Sequence, residues 1–374
     1  MYTIHNNELI NQKINCDIDV INETILSLIG SVDAIFLTGG FGRGEGSVLF
    51  DNFQCQPIND YDLVVVTDES VIEREIVKAR IDLAEKCGIR QVDIAVKQRK
   101  DLSSLKFTMA NFDLVNASIM IYGTLNLKRE MPNWLARDLP KEEGIIALFL
   151  FLSAIVQSYP SSKIMSRDEI FWGYQQLTKS ILGWSTAMLI FESLYHTSYA
   201  SRNEIFQKHF SEFPELCSLA QQATDFKLHP TLVPCKASDY HEFWNKAREA
   251  HLDVMKSLLV KYYRVNFYSW SSLINRHRLS PKNIVKSLLS LVFRKHHYFD
   301  CLNIDLAKLY FCLSIKDENF LKKSKHYFKK VKWNKKEQTL YNTKEEYLKQ
   351  LIMGDINARI FSERGSRIFY KKMH

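Results

Sequence analysis

Three short apolar runs fall within the first hundred residues, and their spacing restricts the fold more than any other feature of the chain. They are 33–38 (DAIFLT), 60–67 (DYDLVVVT) and 90–97 (RQVDIAVK). Each is too short for a helix and long enough for a buried strand. Between the second and third, residues 70–87 repeat apolar positions at helical spacing and stop before Gly88, a residue suited to a helix C-cap. A fourth run, 118–122 (SIMIY), reads as another strand, and 17–29 reads as a helix opened by Asp17. The first and second runs are joined by Gly39-Gly40-Phe41-Gly42-Arg43-Gly44-Glu45-Gly46-Ser47, read as a loop entering a short helix. The pattern predicts a small mixed sheet with helices over 1–135, the β part of an α+β chain.

Past Pro132 and Pro140 the strand signal fades. Helices are expected at 141–157, 168–195, 203–210, 214–226 and 239–264, giving a mostly α-helical domain over 136–265. A basic helical region covers 266–374, with helices expected at 281–297, 300–313 and 343–361. The most apolar stretch, 145–156 (IIALFLFLSAIV), is too short to span a bilayer and reads as a buried helix, so no transmembrane segment is expected. The opening residues lack a basic stretch followed by an apolar one, so no signal peptide is expected. Seven cysteines at 16, 55, 87, 217, 235, 301 and 312 form no CxxC pair, which fits a reducing cytoplasm and not a zinc site.

Charge is unevenly spread. From residue 266 onward there are 23 Lys and Arg against 9 Asp and Glu, a surplus of 14 in a chain whose total is +8, so residues 1–265 are acidic by 6. A basic end on an acidic body suits an anionic partner: RNA, a phospholipid surface or a phosphorylated glycan. Residues 276–297 combine an apolar stripe with basic flanks, as segments lying on an anionic membrane do, which would suit a peripheral position at the inner membrane face. Residues 322–336 interleave Lys with Tyr, Phe and Trp, as RNA binders do. A solvated basic face explains the same charges equally well. The aromatic groups at 171–174 and 262–263 read as core, and His296-His297 as part of a solvated face.

Chemistry is carried by three carboxylates. Asp60 and Asp62 are two apart at the mouth of a strand, a spacing that points both side chains to one face. Asp93 sits in the apolar context Val92-Asp93-Ile94-Ala95-Val96, where a lone carboxylate is costly unless paired or bound to metal. Neighbouring strands would gather the three into a cage of hard oxygen ligands for Mg²⁺, with Mn²⁺ as a substitute. Two such ions can hold the attacking and leaving oxygens of an in-line displacement. The glycine run lets backbone approach a polyphosphate, and Arg43 and Ser47 could add contacts.

A strand ending in Gly-Gly, a short helix, a strand opening with Asp-x-Asp and a third Asp one strand later together resemble the polymerase-β-like nucleotidyltransferase superfamily. The resemblance covers roughly residues 20–125. It implies that Gly39 and Gly40 hold the triphosphate of an NTP, that Asp60 and Asp62 bind two Mg²⁺ ions, and that Asp93 completes the catalytic metal and assists deprotonation of an acceptor hydroxyl. Gly40 stands where the family more often has Ser, and 40–60 is longer than in minimal members, as an insertion near 50–58 would explain. Residues 187–202 resemble the helical tails of bacterial nucleotidyltransferases, which would bring Tyr195, His196, Ser198, Tyr199 and Arg202 to nucleotide or acceptor. The implied activity is transfer of an NMP from an NTP to a hydroxyl or phosphate on a small molecule, glycan intermediate, protein or RNA, with release of pyrophosphate. Three alternatives compete: a tRNA-directed toxin or defence enzyme, a catalytically inactive binding protein on the same fold, and a glycosyltransferase. In the last, Asp-x-Asp typically comes after an apolar strand, whereas Asp60 and Asp62 precede one.

Overall fold

The protein is described from a computed structural model over residues 1–278 apart from 6, 52–53, 59, 161–164 and 231–236, and also at 305–306, 309, 312–313, 323 and 326. The helices expected at 281–297 and 343–361, and nearly all of 300–313 and 322–336, lie outside the described residues. In chain order the elements are α1 (Glu8–Leu28), β1 (Ala34–Thr38), α2 (Gly39–Gly42), β2 (Val48–Asp51), β3 (Gln54–Pro57), β4 (Tyr61–Val66), α3 (Glu73–Cys87), β5 (Val92–Lys97), α4 (Met109–Asn116), β6 (Ile119–Gly123), α5 (Leu127–Glu130), α6 (Lys141–Gln157), α7 (Arg167–Phe191), α8 (Tyr199–His209), α9 (Pro214–Leu228), α10 (Ala237–Tyr263) and α11 (Trp270–Arg278). The described residues divide into two compact units, Met1–Pro140 with 192–230, and Lys141–Phe191 with 237–278. The stretch 192–230 groups with the sheet.

In the first unit a four-stranded mixed sheet has the order β5-β4-β1-β6. β1 runs antiparallel to β4 and β6, and β4 runs parallel to β5. Alternation along the strands sorts side chains onto two faces. Ile35, Leu37, Tyr61, Leu63, Val65, Val92 and Ile94 pack with the Ile stripe of α1 and with Ile76, Ala79 and Leu83 of α3. On the other face Ala34, Phe36, Val64 and Val66 pack with Leu102, Leu114 of α4, and Leu125 and Leu127 around α5. Truncating one of these fully buried Leu or Ile side chains to Ala costs about 2–5 kcal/mol.

Three local outcomes differ from the sequence expectations. α1 begins nine residues before Asp17, capped by the Asn7 side chain, which accepts from the Leu9 and Ile10 amides. Asp17 is not a cap: it is buried inside the helix, where Lys13 Nζ (2.6 Å) and the Tyr61 hydroxyl (2.8 Å) donate to it. The glycine run is not a loop before a helix, since Gly39–Gly42 is itself the single helical turn. The two-stranded antiparallel hairpin of β2 and β3 comes next in the chain and accounts for the extra length between Gly40 and Asp60. α3 ends as expected, on Gly88 at φ +66°, where the amide donates back to the last turn.

In the second unit α6, α7 and α10 pack pairwise. α7 is buried without a break from Ser180 to Phe191. The Trp244 indole donates to Ile155 O (3.0 Å) and the Tyr240 hydroxyl to Ser158 O (2.5 Å). His251 is fully buried: Nε2–H donates to Leu148 O (3.0 Å), so Nδ1 accepts from the Ser180 hydroxyl (2.8 Å). Burial lowers its pKa to about 4 and keeps it neutral. Among the described residues no helix is long and apolar enough to cross a membrane.

Candidate active site

The sheet register brings two of the three sequence-selected carboxylates side by side. Thr38 at the end of β1 is the partner of Asp62, and Asp62 is the partner of Asp93. Residues paired across a sheet point to the same face, and strands lie about 4.8 Å apart. Thr38, Asp62 and Asp93 therefore form a row over three strands. Their parity places them on the face of Phe36, Val64 and Val66, beyond the end of that apolar cluster, and both carboxylates are half-buried. The Thr38 hydroxyl donates to Asp62 O (3.1 Å), and Gln91 Nε2 donates to Asp93 Oδ2 (2.7 Å).

Asp60 lies one residue outside β4, so the ladder does not fix its side chain as it fixes those of Asp62 and Asp93. Among the described residues no three His, Cys, Asp or Glu side chains, these three included, close into one group able to hold a metal ion. The donor set is nonetheless of the kind a hard divalent cation takes: carboxylate oxygens only, on two rigid strands, facing a backbone turn.

That turn abuts the row. Gly39 has φ +62°, and a Cβ there would lie 1.9 Å from Asp62 Oδ2. The Asp62 carboxylate therefore rests against the bare α-carbon of Gly39, and any side chain there would displace it. Gly42 is under equal pressure, its would-be Cβ lying 2.3 Å from Leu37 O. The turn is folded back on β1, with the Gly39 α-carbon against Asp62 and Gly42 against Leu37 O. The first amides of the turn have no acceptor within the helix. Gly40 is the second residue of this turn and is buried.

Arg43 and Ser47, expected at the phosphates, are engaged elsewhere. Arg43 Nη1 pairs with Asp113 Oδ2 of α4 (2.9 Å) and Nη2 donates to the Tyr199 hydroxyl (3.0 Å). Burial works against the Arg43 charge, but Tyr199 and Asp113 outweigh it, and the guanidinium is held charged more firmly than usual. Burial also pushes the Asp113 carboxyl above the usual carboxylate range, against the pull of Arg43. Ser47 Oγ donates to Lys227 O (2.5 Å). Glu45 caps α8: its carboxylate accepts from Ser198 Oγ (2.8 Å), Tyr199 N (2.7 Å) and Ala200 N (3.1 Å).

The tail residues complete the same network. The Tyr195 hydroxyl donates to Asp113 Oδ1 (2.7 Å). Burial, reinforced by Asp113, raises the Tyr195 pKa. Arg202 lies over the Tyr199 ring (4.2 Å) and donates to Ser198 O and Thr197 O (both 3.3 Å). Burial would raise the Tyr199 phenol, but Arg43, Lys227 and Arg202 together bring it below its ordinary value. His196 is exposed, and its Nδ1 accepts from Ser198 N (3.1 Å). Tyr195 and Arg202 thus join Arg43 and Asp113 in a buried polar clasp that fastens α8 to the residues just after the glycine turn.

Asp113 is the member that sequence reasoning missed. It stands in Phe112-Asp113-Leu114-Val115, an apolar context as costly for a carboxylate as that of Asp93, which was the available signal. The chain matches no protein-family model, no curated protein and no solved structure.

Proposed function

We propose that the chain is a metal-dependent nucleotidyltransferase, moving an NMP from an NTP to a hydroxyl or phosphate acceptor with release of pyrophosphate. One observation carries the reading: Asp62 is in register with Asp93 on one side and rests against Gly39 of the backbone turn on the other. Carboxylates beside a glycine turn suit a polyphosphate with its counter-cations. Asp62 and Asp93, joined by Asp60, would hold Mg²⁺. When bound, the cations neutralise phosphate charge and align the displacement.

The chain's own groups divide the remaining work. Gly39 and Gly40 admit the triphosphate to within hydrogen-bonding distance of backbone. Asp93, on the outermost strand, receives the proton of the acceptor hydroxyl as that oxygen attacks the α-phosphorus. The bond to the bridging oxygen breaks and pyrophosphate departs. Arg43, Asp113, Tyr195 and Arg202 act as positioning residues, holding the turn by its C-terminal end.

Asp60 lies outside β4, so the ladder does not fix it beside Asp62 and Asp93, which favours a second reading, a nucleotide-binding protein without turnover. Incubation with each α-labelled NTP, Mg²⁺ and cell extract separates the two. Transfer of label to an acceptor supports the enzyme, binding without transfer supports the second reading, and lack of Mg–NTP binding refutes both.

A further inference from the structure

The sheet face that bears Asp62 and Asp93 continues along β5 as Asp93, Ala95 and Lys97, the residues that alternate with Val92, Ile94 and Val96 on the packed face. The apolar cover over this face reaches Phe36, Val64 and Val66 on β1 and β4. It stops short of β5, where Ala95 is exposed. A methyl group with a free face between two polar side chains makes a shallow floor along the strand. Same-face residues on a strand are about 6.6 Å apart, so Lys97 stands about 13 Å from Asp93.

Lys97 is half-buried at the far end of this floor. Among the described residues its ammonium makes no ion pair and no hydrogen bond. Burial alone lowers its pKa, and no carboxylate offsets that cost. A partly desolvated cation without a counter-charge is favoured when an anion arrives. Gly39 abuts Asp62 from the β1 side, and Asp93 flanks it on the β5 side. With a triphosphate at the glycine turn, the side left for an acceptor is β5.

We propose that β5 from Asp93 to Lys97 is the acceptor subsite, with Lys97 binding a phosphate group carried by the acceptor about 13 Å from the hydroxyl that Asp93 deprotonates. This rests on the nucleotidyltransferase reading. It narrows the acceptor to phosphate-bearing molecules in which the reactive oxygen and the phosphate are separated by about that distance.

Pyridoxal 5′-phosphate, which has both a phosphate and an amine-reactive aldehyde, is the probe. The lysine amine adds to the aldehyde, water leaves, and borohydride traps the imine for peptide mass spectrometry. Lys97 is expected to be modified in preference to Lys78, an exposed lysine of α3 on the opposite side of the sheet. Inorganic phosphate is expected to protect Lys97 and not Lys78. In calorimetry, Lys97→Met is expected to weaken phosphate binding about ten-fold while leaving Mg–ATP binding unchanged. Equal modification of the two lysines, lack of protection, or unchanged phosphate affinity in Lys97→Met overturns the subsite. If wild-type protein binds Mg–ATP in that case, the nucleotidyltransferase reading survives without it. Protection by phosphate with no binding of Mg–ATP overturns the acceptor assignment and the nucleotide site together, leaving an anion site only.

Discussion

Replacing Gly39 by Ala perturbs the site with one methyl group, and its effects can be worked out from two features of the position. The backbone sits at φ +62°, where an L residue costs about 1–2 kcal/mol more than Gly. The new Cβ would fall 1.9 Å from Asp62 Oδ2, whereas ordinary contact begins at 3.4 Å, so the carboxylate must retreat by about 1.5 Å. Asp62 is half-exposed and can move, so the clash adds little to the loss of stability. Unfolding in urea should show a deficit of about 1–3 kcal/mol, leaving a folded protein. A reacting group displaced by about 1 Å loses on the order of 100-fold in rate, so NMP transfer from α-labelled NTP should fall at least that far. Gly30→Ala is the control, since a Cβ there meets nothing within 4 Å, and it should leave both readouts unchanged. A folded Gly39→Ala protein with wild-type turnover would refute the placement of Asp62 at the reacting phosphate.

The clasp and the buried histidine give further expectations. Arg43→Met strands the Asp113 carboxylate in a buried site and should destabilise the protein by about 3–5 kcal/mol in urea unfolding; a change within experimental error would show that the pair contributes nothing. Glu45→Ala removes three hydrogen bonds at the start of α8 and should cost about 1–2 kcal/mol, with faster amide exchange in α8 than elsewhere in the first unit. His251 binds a proton less readily folded than unfolded. Its contribution is therefore complete above about pH 6.5 and is lost as pH falls towards about 4, a decline of about 3 kcal/mol. Urea midpoints measured across that range should fall less steeply in His251→Gln, and equal slopes would contradict the assignment.

The four strands of the larger sheet could be read from sequence because each is a short apolar run with clear punctuation, and α3 because Gly88 marks its end; β2 and β3 could not, and the sequence showed them only as extra length between Gly40 and Asp60. α4 could not: eight residues, Met109–Asn116, with little amphipathic contrast give a weak signal even with Thr108 as cap. Asp17 misled because a carboxylate before a regular Ile stripe looks like a cap. Only the tertiary partners Lys13 and Tyr61 make it tolerable inside the helix. Asp62 and Asp93 could be chosen by residue type and parity, but their pairing depends on strand register, which no local pattern encodes. The roles of Arg43 and Tyr195 were least accessible. Their shared partner Asp113 lies 70 and 82 residues away along the chain, so the same charges that suggest phosphate contacts in sequence are satisfied internally in the fold.

Transfer of label from α-labelled NTP by Asp62→Asn, Asp93→Asn and the double variant bears most directly on whether the paired carboxylates work as one unit. Each single variant should be folded and as inactive as the double, because groups acting together fail together. Wild-type activity in either folded single variant, or losses that simply multiply in the double, would contradict a shared role.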